Sequence, residues 1–426
     1  MTASSTPKLR LFLGLAGVAL VGGLLLGRVE LIALAAPLIV AATMSLASTR
    51  RPDVRLTLDV EMDRCLERDE LDLRIELGCD EGAEEVEVGV RVPAAFAVID
   101  GSRQQVLSIE ARESTTVTLR LRALRWGVHV VGPVAVRVNG PGRLVRFERV
   151  LSLRQKVKVY PPVQRLRRAI RPPNTQVLVG NYVSRAAGGG GIEFASVRQF
   201  APGDDVRRLN WSVSSRRGDL YVNVHHPERN AEVVLLLDSF ADVGQAGSSS
   251  LDVTVRAAFE LCRHYLDRKD RVGLVGMGGV LRWLTPAMGR TQFLRIADYL
   301  LETRAVFSYA WRDTSYLPKR TLPAGSLVIA LTPLADSRVV RSLADLRSRG
   351  FALVVLDTLT EAAIAPGPTP EQQLSHRLWL LQRAATRAEL ADRGVPTLQL
   401  ESKNLDIVLA QMASWERRAR QTGRVR

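Results

Sequence analysis

Hydrophobic and polar positions change their rhythm four times along the chain, and each change marks a different kind of element. Leu11–Gly27 and Leu31–Ala47 are apolar and uncharged, each near the short end of what crosses a bilayer core as a helix. Arg28 and Glu30 lie between them, so the pair predicts a helical hairpin with a very short turn. From about 54 to 160 the pattern alternates with period two. Leu71, Leu73, Ile75 and Leu77 form one row, Val86, Val88, Val90 and Val92 another, and Val117, Leu119 and Leu121 a third. Polar turns at Asp80-Glu81-Gly82 and Asn139-Gly140-Pro141-Gly142 split these rows, which predicts an antiparallel β-sandwich.

Beyond Glu232 the rhythm becomes strand, helix, strand. Val233–Leu237 is a short unbroken apolar run ending at Asp238, as a strand buried on both faces requires. Val255, Phe259, Cys262 and Leu266 recur at helical spacing. Val272–Val275, Leu327–Leu331 and Ala352–Leu356 read as further strands, and Phe293–Leu301 and Ser337–Arg349 as helices. The fold class expected is α+β and multi-domain. A transmembrane hairpin occupies 1–50, with spans at about 11–27 and 31–47, and a β-sandwich-like domain 51–162. A connector and signature segment covers 163–231, a doubly wound α/β domain 232–412, and a basic tail 413–426.

Charge settles the orientation of the hairpin. Lys8 and Arg10 precede the first span, and Arg50, Arg51 and Arg55 follow the second. Positive flanks at both ends place both in the cytoplasm, so the chain reads as a multi-pass protein of the inner or plasma membrane with cytoplasmic domains. The alternative is a signal peptide cleaved near Ala33-Leu34-Ala35, against which the apolar run continues to Ala47. Gly23 and Gly27 have the small-xxx-small spacing that suits packing within the hairpin.

Composition narrows the chemistry. The three cysteines (Cys65, Cys79, Cys262) form no CxxC, which argues against a disulfide scaffold or structural zinc site. A net charge of +15, with arginines clustered at 165–171 and in the tail, raises nucleic acid as a partner. Aromatic residues are only 5% and do not interleave with the basic stretches, so anionic lipid explains the charge at least as well. Gly188–Gly191 is followed by Ile192-Glu193-Phe194 rather than by the Lys-Ser or Lys-Thr of a phosphate loop. His225 and His226 have no paired nucleophile, and no catalytic residue is assigned.

The densest motif runs from Glu193-Phe194 through Arg198 and Pro202-Gly203-Asp204-Asp205 to Arg207, Asn210-Trp211 and Arg217-Gly218. It resembles the signature of the bacterial family called domain of unknown function 58, and Arg125-Trp126-Gly127 resembles that family's β-domain motif. The resemblance implies a von Willebrand factor A-like domain and functional coupling to MoxR-type AAA+ ATPases. Arg198 and Arg207 bracket Asp204 and Asp205 closely enough for salt bridges, with Trp211 available for stacking. A partly buried network would make truncation of Asp204 or Arg207 strongly destabilising. The same segment also reads as a docking surface.

A von Willebrand A-like domain often carries an Asp-x-Ser-x-Ser loop that ligates Mg²⁺. Here the loop is Asp238-Ser239-Phe240-Ala241-Asp242, with Thr291 as the matching threonine and Thr332-Pro333 where a later aspartate would fall. Phe240 and Pro333 supply no side-chain oxygen. Asp238, Asp242 and Thr291 are therefore weak metal candidates, and no cofactor is expected. Asp238, Asp242, Thr291 and Thr332 are expected together at the carboxyl end of the sheet as an interaction surface. These readings predict a non-enzymatic membrane-anchored scaffold or adaptor. The alternatives are a metal-dependent adhesion or binding protein and a binder of nucleic acid or anionic lipid.

Overall fold

The computed structural model describes residues 2–48, 51–162, 166, 175–179, 182–184, 194–201, 204, 206–225, 229–305, 317, 318, 320–361 and 364–400. The Gly188–Gly191 run, most of the Arg165–Pro173 connector and the basic tail lie outside the described residues. The chain divides into two compact units, Met1–Pro162 and Val163–Arg426.

In the first unit, β1 (Thr2–Ser5) precedes α1 (Pro7–Leu26) and α2 (Val29–Ser48). The Thr6 hydroxyl accepts the Leu9 N–H and Pro7 takes the first helical position, so α1 starts where its orphan donors are met. Gly27 ends α1 in the left-handed region, at φ 62°, and turns the chain directly into α2. Both helices are long and apolar enough to cross a membrane, with mean hydropathies of 2.2 and 2.0. They exceed the expected spans by starting before Leu11 and Leu31. A Cβ on Gly23 would stand 2.7 Å from Ile32 Cγ1, so this glycine lets the two helices close on each other.

Eleven strands follow. They are β2 (Val54–Val60), β3 (Arg64–Leu66), β4 (Glu70–Cys79), β5 (Ala83–Val90), β6 (Phe96–Asp100), β7 (Gln104–Ile109), β8 (Ser114–Ala123), β9 (Gly127–Val131), β10 (Val134–Asn139), β11 (Val145–Leu151) and β12 (Gln155–Tyr160). Two antiparallel sheets, β1-β11-β10-β5-β7 and β2-β4-β8-β6, share one apolar core. The period-two rows are its walls. Leu71, Leu73, Ile75 and Leu77 of β4 and Leu119 and Leu121 of β8 face Val86, Val88, Val136 and Phe147 from the other sheet. A third sheet, β3-β12-β9, departs from the purely antiparallel expectation, because β3 and β12 run parallel. Strands about ninety residues apart in sequence have no tight turn to dictate their direction. Trp126 is buried, and its backbone N–H donates to Glu67 Oε1 at 2.9 Å. That gives the Arg125-Trp126-Gly127 motif a structural role.

The second unit holds β13 (Thr175–Val179), β14 (Tyr182–Ser184), β15 (Phe194–Gln199), α3 (Trp211–Arg217), β16 (Tyr221–His225) and β17 (Arg229–Asp238). After these come α4 (Ser250–Asp267), β18 (Arg271–Met277), β19 (Arg282–Ala287), α5 (Gly289–Glu302) and β20 (Leu327–Thr332). The last are α6 (Ser337–Ser348), β21 (Ala352–Asp357), α7 (Pro370–Asp392) and β22 (Thr397–Gln399). Strands β18, β17, β20, β21 and β22 pair parallel in that order, and β19 joins β18 antiparallel. Val234 and Leu236 of β17 face a cluster that includes Val339, Leu343 and Leu346 of α6, while α4 packs over β17, β18 and β20. Burial on both faces is why these strands are unbroken apolar runs.

Candidate functional site

Parallel strands end together, and the carboxyl ends of β17, β20 and β21 bring Asp238, Thr332 and Asp357 to one edge of the sheet. All three are fully or almost fully buried. The Thr332 hydroxyl donates to Asp238 Oδ2 at 2.7 Å and accepts the Leu334 N–H, and Asp238 Oδ1 accepts the Phe240 N–H at 3.0 Å. Burial pushes the Asp238 carboxyl up to about 6, against the pull of those hydrogen bonds. Phe240 turns inward, and the Arg338 guanidinium lies over its ring at 4.1 Å. Arg338 also forks onto Asp336 at 2.6 Å, which holds the Asp336 carboxyl below the usual range.

Across Thr332 from Asp238, at the end of β21, lies a residue that sequence reasoning missed. Asp357 accepts from Arg383 of α7 at 2.6 Å, with both side chains out of solvent. Arg383 also donates to the Pro333 and Leu359 carbonyls, and the Leu359 N–H donates to Asp357 Oδ1 at 3.1 Å. Burial drives the Asp357 carboxyl upward, with Arg383 opposing it. Asp357 closes the Ala352–Leu356 run just as Asp238 closes Val233–Leu237, so the same signal was available for it.

Asp242 is exposed, and its Oδ1 accepts the Leu251 N–H in the first turn of α4 at 3.1 Å. Thr291 does not join the group, which corrects the expected surface. The antiparallel β19 carries the chain back to the start of β18, where Ala287 faces Val272, so α5 begins at the amino end of the parallel strands. Gln292, next to Thr291, donates to the Val272 carbonyl at 2.8 Å. Asp238 pairs with Met277, five residues further along β18, which is about 17 Å of strand. Among the described residues no group of three His, Cys, Asp or Glu side chains converges as a metal site would require.

The signature segment builds a small unit of its own. β15 and β16 pair antiparallel, with Arg198 opposite Val222 and Phe194 opposite His225. Asn210 caps α3, accepting the Val213 N–H at 3.1 Å and donating to Asn223 Oδ1 at 2.8 Å. Gly218 ends α3 at φ 75°, in the left-handed region. Arg198 forks onto Asp204 at 2.6 and 2.7 Å, and Asp204 also accepts the Ala201 N–H. Glu193, Pro202, Gly203, Asp205 and His226 lie outside the described residues.

Exposure weakens two expectations for this segment. The Arg198 side chain is 50% exposed and Trp211 66%, and Arg207, in a 3-10 turn (Val206–Arg208), is exposed as well. The Asp204 side chain is 20% exposed, so the pair is open to solvent on the arginine side and half-buried on the carboxylate side, and Arg217 stacks over Tyr221 at 5.4 Å. Removing the Asn210 cap should accordingly cost more than breaking the ion pair. Asn210→Ala is expected to lose about 1 kcal/mol, whereas Asp204→Ala should leave the denaturation midpoint near that of the unsubstituted chain. The reverse ranking in equilibrium unfolding would restore the buried-network view.

Residues 196–374 match the family described as protein of unknown function DUF58. The match takes in the signature segment from Ser196 onward and the sheet as far as the first turn of α7. Uncharacterized protein YeaD of Bacillus subtilis is 25% identical over 173 residues, 39% of this chain and 40% of its own length. Uncharacterized protein Rv1480 of Mycobacterium tuberculosis is 28% identical over 176 residues, 40% of this chain and 48% of its own. The chain thus spans less than half the length of either relative in the aligned region. Among solved structures, the CARDB domain of the PF1109 protein from Pyrococcus furiosus aligns with 26% of this chain and 96% of its own, at 11% identity and a TM-score of 0.18. A score that low carries no argument.

Proposed function

We propose that this chain is a non-enzymatic, membrane-tethered adaptor whose α/β unit engages another protein through the loops at the carboxyl end of its sheet. The observation that carries this reading is the closure of that end. Asp238, Asp336 and Asp357 are each committed to partners within the unit, so the edge is a braced surface rather than an open cation cradle. The strand order β19-β18-β17-β20-β21-β22, with β19 antiparallel, supports a von Willebrand factor A-like domain. The inward Phe240 under Arg338 supports a degenerate form of its adhesion site.

The two apolar helices and their basic flanks support an anchor in the inner or plasma membrane, with both units cytoplasmic. The sequence has no Walker-type nucleotide loop, so work on a client needs an energy source in trans. The family resemblance names a MoxR-type AAA+ ATPase for that role, in assembly or maturation of a protein complex. The test is co-purification of the detergent-solubilised chain with the cognate ATPase. Association should survive EDTA and Asp242→Asn, which keeps the acceptor for Leu251, and should weaken with Asp242→Lys. Absence of association in every form, with the protein folded and membrane-inserted, overturns the adaptor reading. A stoichiometric Mg²⁺ site in calorimetry, abolished by Asp238→Ala, overturns the closed-site argument.

A further inference from the structure

In the first unit, the chain before the hairpin and the chain after it meet in one sheet. β1 adds antiparallel to the edge of β11, with Thr2 opposite Glu148 and Ser5 opposite Val145. Thr6, which caps α1, places its hydroxyl 2.8 and 2.9 Å from the Arg143 and Leu144 carbonyl oxygens, and its N–H donates to the latter. The Lys8 ammonium donates to the Gly142 carbonyl at 3.0 Å. Leu144 is buried against Leu9 of α1 and Ala42 of α2, with Phe12 alongside. The β10–β11 turn is thus wedged into the open end of the helical hairpin.

Helix geometry gives the depth of that wedge. Each helix has 20 residues, which is about 30 Å, the thickness of a bilayer's hydrocarbon core. Leu9 lies two residues inside the start of α1 and Ala42 six residues before the end of α2. At the helical rise these are about 3 Å and about 9 Å inward. A side chain packed against both stands level with the membrane boundary whenever the helices cross a bilayer. Lys8 and Arg10 are exposed at the same level, where phospholipid headgroups lie.

The geometry points to the Pro141–Leu144 turn as a membrane-interface wedge that seats the β unit in the lipid headgroup layer. This rests on the reading of α1 and α2 as membrane spans. The opposite end of the same sheet then faces away from the bilayer. Gln104 pairs with Gly89 and Val134 with Val90 at that end, whereas the turn continues from the Val138–Val86 pair.

The experiment uses the full chain in phosphatidylcholine–phosphatidylglycerol vesicles, with a fluorophore on Pro141→Cys or, as the far reference, on Arg103→Cys. The native thiols are buried, so the unsubstituted chain gives the labelling background. Quenchers carried on lipid near the glycerol level should remove most of the emission at 141 and little at 103, and aqueous iodide should do the opposite. Asn139→Cys supplies a second wedge label should Pro141→Cys misfold. If alkaline carbonate leaves the chain in the vesicles and the wedge labels still respond like the one at 103, the wedge is overturned and the anchor stands. If carbonate extracts the chain, the anchor reading fails and the wedge with it.

Discussion

Replacing Arg383 with alanine is expected to destabilise the α/β unit by about 3–5 kcal/mol near neutral pH, because it strands a buried carboxylate. Asp357 has no solvent access, and once Arg383 is gone Arg387, at 4.0 Å, is the nearest described cation. The Pro333 carbonyl loses the Arg383 donor in the same step, while the Leu359 carbonyl keeps Gln399 Nε2 at 3.4 Å. Because burial already pushes the Asp357 carboxyl upward, lowering the pH should neutralise the stranded group and recover part of the loss. Denaturation of the detergent-solubilised chain at two pH values reads both effects. Combining Arg383→Met with Asp357→Leu should restore much of the stability, since well-packed apolar side chains often equal a buried ion pair. A cost under ~1 kcal/mol for Arg383→Ala at neutral pH would mean that water reaches Asp357.

The second large effect concerns Asp238 and is a matter of sign. Its folded-state value is pushed up to about 6, whereas an unfolded aspartate titrates near ~3.9. A raised folded value means stability that is fully present below about pH 4 and lost as the pH rises through 6. Asp238→Asn stays neutral and can still accept the Phe240 N–H. It should therefore match the unsubstituted chain near pH 4 and exceed it by about 2–3 kcal/mol near pH 8. Stability profiles that run parallel across that range would show Asp238 to be ionised without penalty.

The fold was legible wherever one periodicity had one cause. Strands β4, β5 and β8 bury one face each, so alternation alone revealed them. Strands β17, β20 and β21 are buried on both faces, and their apolar runs were found, with Asp238 and Thr332 at the ends of the first two. β19 was not found, because Arg282-Trp283-Leu284-Thr285-Pro286-Ala287 mixes polar residues with a proline, as an edge strand tolerates. Missing it reversed the chain direction and sent Thr291 to the wrong end of the sheet. α7 was also missed. Its Thr369-Pro370 start and Gln372 form a helix-opening signal, but Leu374, Leu378 and Leu381 are exposed and blur the apolar stripe. Without α7 there was no Arg383, and half of the Asp357 pair stayed hidden. The signature segment was recognised as a motif, but its exposure depends on what packs nearby, which spacing does not encode.

The pairing of β1 with β11 also has a consequence for the order of events during synthesis. Thr2 emerges from the ribosome early, yet its partner Glu148 follows 146 residues later. At ordinary bacterial elongation rates that separation is roughly 7–30 s. For that interval the first strand has no sheet to join, while the two apolar helices behind it are already available for insertion. If the helices enter a bilayer as they are made, that step precedes completion of the β unit, and closure of the sheet edge comes last. A pause or truncation before Val145 would leave an inserted hairpin with its leading strand still waiting at the bilayer surface.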